Sequence, residues 1–247
     1  MCRMILAVGE VQVYSILQDL MIMAKDQNKI HELNANLGRG SWKHTDGWGA
    51  AYLQQGQWVV IKSVKALCDN QDIEQFKSVK TSLALLHARK RIGSKTSLEN
   101  THPFIETDSK LGECVFCHNG FIQDKIEFNH QFKLKGNTDS EKLFYSILTD
   151  TANTEVALAV RQNFSRHPKV RGSNIILASK NYSYVGIGKN ILPQYYGMVI
   201  GKSDRLLVIS SEKLPSFSHL AWTELQQGDI VTVDNKTMEV KMEKEVF

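Results

Sequence analysis

The apolar positions of this chain fall into short runs of two kinds, and their spacing predicts many strands with a few helices between them. Cys2–Val8 is an almost unbroken apolar stretch and reads as a short buried strand. From Val11 to about Ala24, Val13, Ile16, Leu17, Leu20 and Met23 recur at helical spacing. Gly47–Leu53 and Trp58–Ser63 flank Gln54-Gln55-Gly56-Gln57, the pattern of a β-hairpin. A helix is predicted near Asp72–Lys80 and a strand at Leu83–Ala88. Two polar loops, Asn34–Thr45 and Gly93–His102, lie on either side of this block, the second closed by Pro103-Phe104. Glu113–His118 reads as a strand ended by Asn119-Gly120, a pair suited to a tight turn with positive φ.

Helical spacing returns at Asp139–Leu148 and Glu155–Asn163. The rest is strand-rich, with runs at Asn174–Ala178, Tyr184–Ile187, Met198–Gly201, Leu206–Ser210, Ile230–Val233 and Met238–Met242. No internal repeat, low-complexity linker or shift in composition divides the 247 residues. Helical pairs set between runs of short strands predict two sheets with helices packed outside them, a layered α+β fold. One domain over residues 2–247 is the simplest organisation.

Composition adds mainly exclusions. The charge of +4 comes from dispersed basic residues such as Lys62/Lys65 and Lys77/Lys80, which argues for a solvated surface and against nucleic-acid binding. No apolar run approaches the ~18–20 residues that span a bilayer. Met4–Gly9 is too short for a secretory signal, so a cytoplasmic protein without membrane contact is expected. Cys2, Cys68, Cys114 and Cys117 are too sparse for a disulfide scaffold. Cys114-Val115-Phe116-Cys117-His118 matches the haem-attachment pattern C-x-x-C-H. In a strand, however, positions i and i+3 point to opposite faces, so these two thiols could not grip one group. No metal and no cofactor are expected.

The candidate chemistry begins at Cys2. If Met1 is removed, this residue carries a thiol and a free α-amino group together. A thiolate is a strong nucleophile, and an N-terminal amine can serve as its base. The amine's pKa of roughly 7.7–8.0 leaves a useful neutral fraction near neutrality.

Five further segments follow in order: His44-Thr45-Asp46-Gly47-Trp48-Gly49, His87-Ala88-Arg89, Glu99-Asn100-Thr101-His102-Pro103-Phe104, Cys117-His118-Asn119-Gly120 and Thr138-Asp139-Ser140-Glu141. Behind an early cysteine, this series closely resembles class II glutamine amidotransferases of the stand-alone type. These are N-terminal-nucleophile hydrolases with a four-layer αββα sandwich. The resemblance implies that Cys2 is the nucleophile and its α-amino group the proton shuttle. It implies an oxyanion hole made by the Asn119 side-chain amide and the Gly120 backbone N–H. Arg89 would take the substrate α-carboxylate, for which its planar fork is suited, and Asp139 the α-ammonium. Asp139 also has the alternative reading of a helix N-cap. His102 is placed at the substrate site, shaping it; Gly47, Gly49 and Trp48 allow close packing beside Cys2. His87, ending an apolar run, reads as a hydrogen-bonded core residue.

One departure from the family pattern stands out. Lys90-Arg91-Ile92 replace the apolar residue and threonine that follow the arginine in glucosamine-forming and related synthases. That leaves room for a modified γ-glutamyl substrate. The leading expectation is hydrolysis of glutamine or a γ-glutamyl amide through a Cys2 thioester, releasing ammonia or an amine, alone or with a synthase partner subunit. The alternatives are an inactive scaffold of the same fold used for protein binding, and an N-terminal-nucleophile amidase acting on another substrate class.

Overall fold

A computed structural model describes residues 2–27, 38, 42–69 and 71–244. Its strands are β1 (Arg3–Gln12), β2 (Trp48–Gln54), β3 (Gln57–Ser63), β4 (Lys80–Ala88), β5 (Phe104–Asp108), β6 (Gly112–Ile122), β7 (Val170–Ser179), β8 (Tyr182–Ile187), β9 (Met198–Lys202), β10 (Leu206–Ser210), β11 (Ala221–Leu225), β12 (Asp229–Asp234) and β13 (Val240–Lys244). The α-helices are α1 (Val13–Ala24), α2 (Asp139–Thr151), α3 (Val156–Arg166) and the single turn α4 (Pro193–Tyr196).

The strands form two antiparallel sheets. The first runs β11-β9-β10-β1-β4-β2-β3 and the second β13-β12-β8-β7-β6-β5. Strand parity then assigns side chains to three apolar layers. Ile5 and Ala7 of β1 face Ile16, Leu17 and Leu20 of α1. Met4, Leu6 and Val8 face the other way, onto Val115 and Cys117 of β6 and Ile176 of β7. Cys114 and Phe116 leave the far side of β6 to pack on Phe144 and Leu148 of α2 and Val160 of α3. The architecture is therefore the expected αββα sandwich, with β1 covered on both faces, which is why it reads as continuously apolar. Full burial of each Leu or Val of the middle layer contributes about 1.5–3 kcal/mol. Cys114 and Cys117 lie in different layers, as strand parity requires.

Several elements differ from the sequence expectation. The helix expected near Asp72–Lys80 is a 3₁₀ segment, Gln71–Phe76, and Lys80 already belongs to β4. β5 and β11, absent from the apolar pattern, are both sheet edges. An edge strand keeps part of its surface in water and so carries a weak apolar signal. Asn119-Gly120 does not end its strand either, because β6 continues to Ile122, pairing Asn119 with Asn174 and Gly120 with Ser173 of β7. Gly120 serves close approach, since a Cβ there would lie 2.0 Å from the Gly172 carbonyl oxygen. The loop expected over Asn34–Thr45 lies largely outside the described residues, and its last four, 42–45, have no regular structure. No helix among the described residues is long and apolar enough to cross a membrane.

Candidate active site

The site lies where the two facing strands of the middle layer run on past their apolar residues. Cys2 continues the parity of Met4, Leu6 and Val8, and Asn119 continues that of Val115 and Cys117. The two meet: the Cys2 backbone N–H donates to Asn119 Oδ1 at 2.7 Å, a bond that joins the sheets. Cys2 is 9% exposed, and its Sγ lies 3.6 Å from the Lys90 carbonyl oxygen. Gly120 is half-buried beside Asn119.

Arg89 leaves the end of β4, where Ala88 is flanked by Arg3 on one side and Trp48 on the other. Its backbone N–H donates to the Gly47 carbonyl at 2.8 Å, and Asp46 N–H donates to the Arg89 carbonyl at 3.2 Å. Its guanidinium donates to the Asp46 carbonyl, Ser94 Oγ and the Lys95 carbonyl at 3.3, 2.7 and 3.2 Å. Burial pushes the Arg89 pKa down, and the Asp46 carboxylate opposes this. The Asp46 carboxylate in turn accepts from Arg91 N–H and Nε–H at 3.1 and 3.0 Å. Together these bonds fix the loop after β4 against the loop before β2.

Glycine is required in that second loop. Gly47 has φ +118°, and a Cβ there would sit 2.7 Å from the Ser63 carbonyl oxygen. Just beyond the loop, in β2, a Cβ at Gly49 would lie 2.2 Å from the His102 carbonyl oxygen. Trp48 is fully buried in the layer between α1 and the first sheet, edge-on to Phe76. It supports the site from behind.

Asp139 is the first residue of α2, and its Oδ2 accepts from Ile122 N–H at 2.8 Å. It is not the N-cap. Thr138 has that role: its backbone is extended and its Oγ1 accepts from Glu141 N–H at 3.2 Å. Asp139 is thus tied to the strand that carries Asn119.

His44, His87, His102 and His118 are buried. His118 has the parity opposite to Asn119 and faces α2, with Nδ1 2.9 Å from Ser140 Oγ and Nε2 3.3 Å from Ser173 Oγ. His102 packs its ring on Phe104 and on His87, with ring centroids 4.4 and 4.3 Å apart. Among the described residues, the rings of His44 and His102 have no hydrogen-bond partner. His87 is a core residue whose ring meets the backbone of His118. Burial lowers its pKa to about 3 and pushes His44 and His102 well below the ordinary range, so all three are neutral near pH 7.

Three residues that the apolar pattern did not single out also meet the site. Arg3 donates to the Cys2 carbonyl at 3.3 Å, Asn174 stands opposite Asn119, and the Lys90 carbonyl touches the thiol. A charged residue inside an otherwise apolar strand was the available signal for Arg3.

Such a sandwich, with a cysteine at the open end of its inter-sheet layer, has the architecture of the N-terminal-nucleophile amidotransferases. Glutamine phosphoribosylpyrophosphate amidotransferase from B. subtilis superposes with a TM-score of 0.66 at 16% identity, over 98% of this chain and 49% of that one. A glutamine aminotransferase class-II domain protein from Silicibacter pomeroyi gives 0.63 at 18% identity, over 98% and 99% of the two chains. A Haemophilus influenzae protein assigned as a glutamine amidotransferase is 30% identical over 121 residues, 45% of this chain and 38% of that protein. The chain thus spans well under two thirds of the H. influenzae relative and about half of the B. subtilis enzyme. The model of the class-II glutamine amidotransferases matches residues 21–171, and this chain belongs to that family. The matched stretch contains Arg89, Asn119, Gly120 and Asp139; Cys2 precedes it.

Proposed function

We propose that this protein hydrolyses the side-chain amide of glutamine, or a γ-glutamyl amide, through a thioester on Cys2. The observation that carries this reading is the 2.7 Å bond between the Cys2 nitrogen and Asn119 Oδ1. It puts the proposed nucleophile and the proposed oxyanion donor on one residue pair, across two sheets. Once Cys2 is freed from the preceding residue, its nitrogen is an amine that takes the thiol proton as Sγ attacks the amide carbon. The oxyanion forms against Asn119 Nδ2 and the Gly120 N–H. The amine returns the proton to the leaving nitrogen, the C–N bond breaks, and ammonia or an amine departs. Water, deprotonated by the same amine, then cleaves the thioester and releases the glutamyl product. Arg89 and Asp139 hold the substrate α-carboxylate and α-ammonium, with His102, Gly47 and Trp48 fixing the shape of the site.

We read residues 2–247 as one domain, because β1 pairs with β10 and all three apolar layers draw on distant parts of the chain. The described residues after 150 are taken up by α3, α4 and β7–β13. In this reading the ammonia or amine is released alone or passed to a partner subunit.

The test is chemical. Cys2→Ala should reduce release of ammonia or amine to background while Cys68→Ala keeps it, and a glutamine-analogue electrophile should label Cys2. Labelling of another cysteine would sink the assignment. A preparation that keeps Met1 by mass and still turns over at full rate would rule out the amine as base.

A further inference from the structure

Arg3 follows Cys2 directly and is 1% exposed, in a strand where a leucine would pack without charge. Burying a guanidinium costs free energy unless partners offset it. Burial pushes its pKa down, and the negative charge of Glu212 opposes this. Its partners are specific. Nη1 donates to the Cys2 carbonyl at 3.3 Å and to the Tyr195 carbonyl at 3.2 Å, while Nε lies 3.7 Å from Glu212 Oε1.

Tyr195 belongs to α4, and the next residue, Tyr196, is tied to the opposite sheet. Its carbonyl accepts from Asn174 Nδ2 at 2.6 Å, and Asn174 is the cross-strand partner of Asn119. Asn174 is fully buried. The Tyr196 ring fills the space that a side chain at Gly172 would occupy, 2.3 Å from the position of a Cβ there. Cys2 and Asn119 are thus joined directly, and again the long way round through Arg3, Tyr195, Tyr196 and Asn174.

We propose that α4 sets the spacing between Cys2 and Asn119, with Arg3 and Asn174 as positioning residues acting through it. The inference rests on the reading of Cys2 as nucleophile and Asn119 as oxyanion donor. An oxyanion hole discriminates on a fraction of an ångström, so a looser frame lowers kcat more than substrate binding. Either break opens the same circuit, so the two residues should not act independently.

The experiment is a double-mutant cycle on the full chain with glutamine and a γ-glutamyl amide. Arg3→Met and Asn174→Ala should each lower kcat about tenfold or more, with KM moved less than about threefold. Arg3→Lys should recover part of the Arg3→Met loss. Arg3→Met/Asn174→Ala should be no more than about threefold worse than its worse single variant, because either alone disconnects the turn. Single variants within about twofold of wild-type kcat, or losses that multiply in the double variant, would overturn the coupling. If Arg3→Met does not fold, the same cycle built on Arg3→Gln, which also removes the charge, decides. A dead Cys2→Ala with multiplying losses removes only the coupling, whereas an active Cys2→Ala removes the nucleophile assignment and the inference with it.

Discussion

The middle of the inter-sheet layer and its open end are built from the same two strands at the same parity, yet they obey different rules. In the middle, Leu6 and Met4 belong with Val115 and Cys117 to one apolar cluster. Beyond them, Cys2 and Asn119 occupy equivalent strand positions and meet through a hydrogen bond. The burial is similar in both places; what changes is whether a buried group needs a directed partner. Packing tolerates small shifts, whereas a buried amide or guanidinium that loses its partner retains its desolvation cost. The end of the layer is therefore surrounded by bonds that aim its side chains, as at Arg3, Asn174 and Arg89.

Substitutions on the two sides should separate stability from turnover. Leu6→Ala should cost about 2–5 kcal/mol of stability in urea unfolding, while each folded molecule keeps its activity. Asn119→Ala should do the reverse, lowering kcat about 10²–10³-fold with little change in Tm, because its donor matters in the transition state. A fall in Tm matching the activity loss would return Asn119 to an ordinary framework role. Arg89→Ala should cost about 1.5–3 kcal/mol in kcat/KM, confined to substrates with a free α-carboxylate. Equal loss on a substrate lacking that group would make Arg89 part of the loop framework alone.

The smallest effect concerns pH. His87 is buried and neutral with a pKa of about 3, and burial also lowers His44, His102 and His118. The unfolded chain takes up these protons near pH 6.5 and the folded chain does not. Stability from these residues is thus complete above about pH 6.5 and falls as pH drops from there towards the folded values. Urea midpoints near pH 7.5 and pH 5 should show the decline, and His87→Phe, which keeps a ring against His102, should reduce it. An unchanged difference would mean that carboxylates dominate the acid response.

The sequence carries the layers because parity and helical spacing are local signals. Met4, Leu6 and Val8 announce a buried strand whatever they touch, and Ile16, Leu17 and Leu20 announce a helix. The edge strands β5 and β11 were silent since Phe-Ile-Glu-Thr-Asp and Ala-Trp-Thr-Glu-Leu hold little apolar density. The pair Asn119-Gly120 suggested a turn because asparagine and glycine favour turns, but here the glycine admits the backbone of β7. Cys2, Arg89 and Asp139 stood out through family resemblance, which gave them roles before any geometry. Arg3 and Asn174 did not, because their hydrogen bonds go to backbone carbonyls, and a carbonyl has no signature in sequence.

The placement of β1 also has a consequence in the order of synthesis. Cys2 is made before every strand that flanks its own, because β1 lies between β4 and β10. Met4 exchanges hydrogen bonds with Ser211, 207 positions away. Such non-local pairings pay loop-closure entropy before any contact offsets it, so they form late. A chain growing from its N-terminus holds its thiol long before the strand that locks it has been translated. The cell therefore receives a finished frame around Cys2 only after synthesis has passed Ser211.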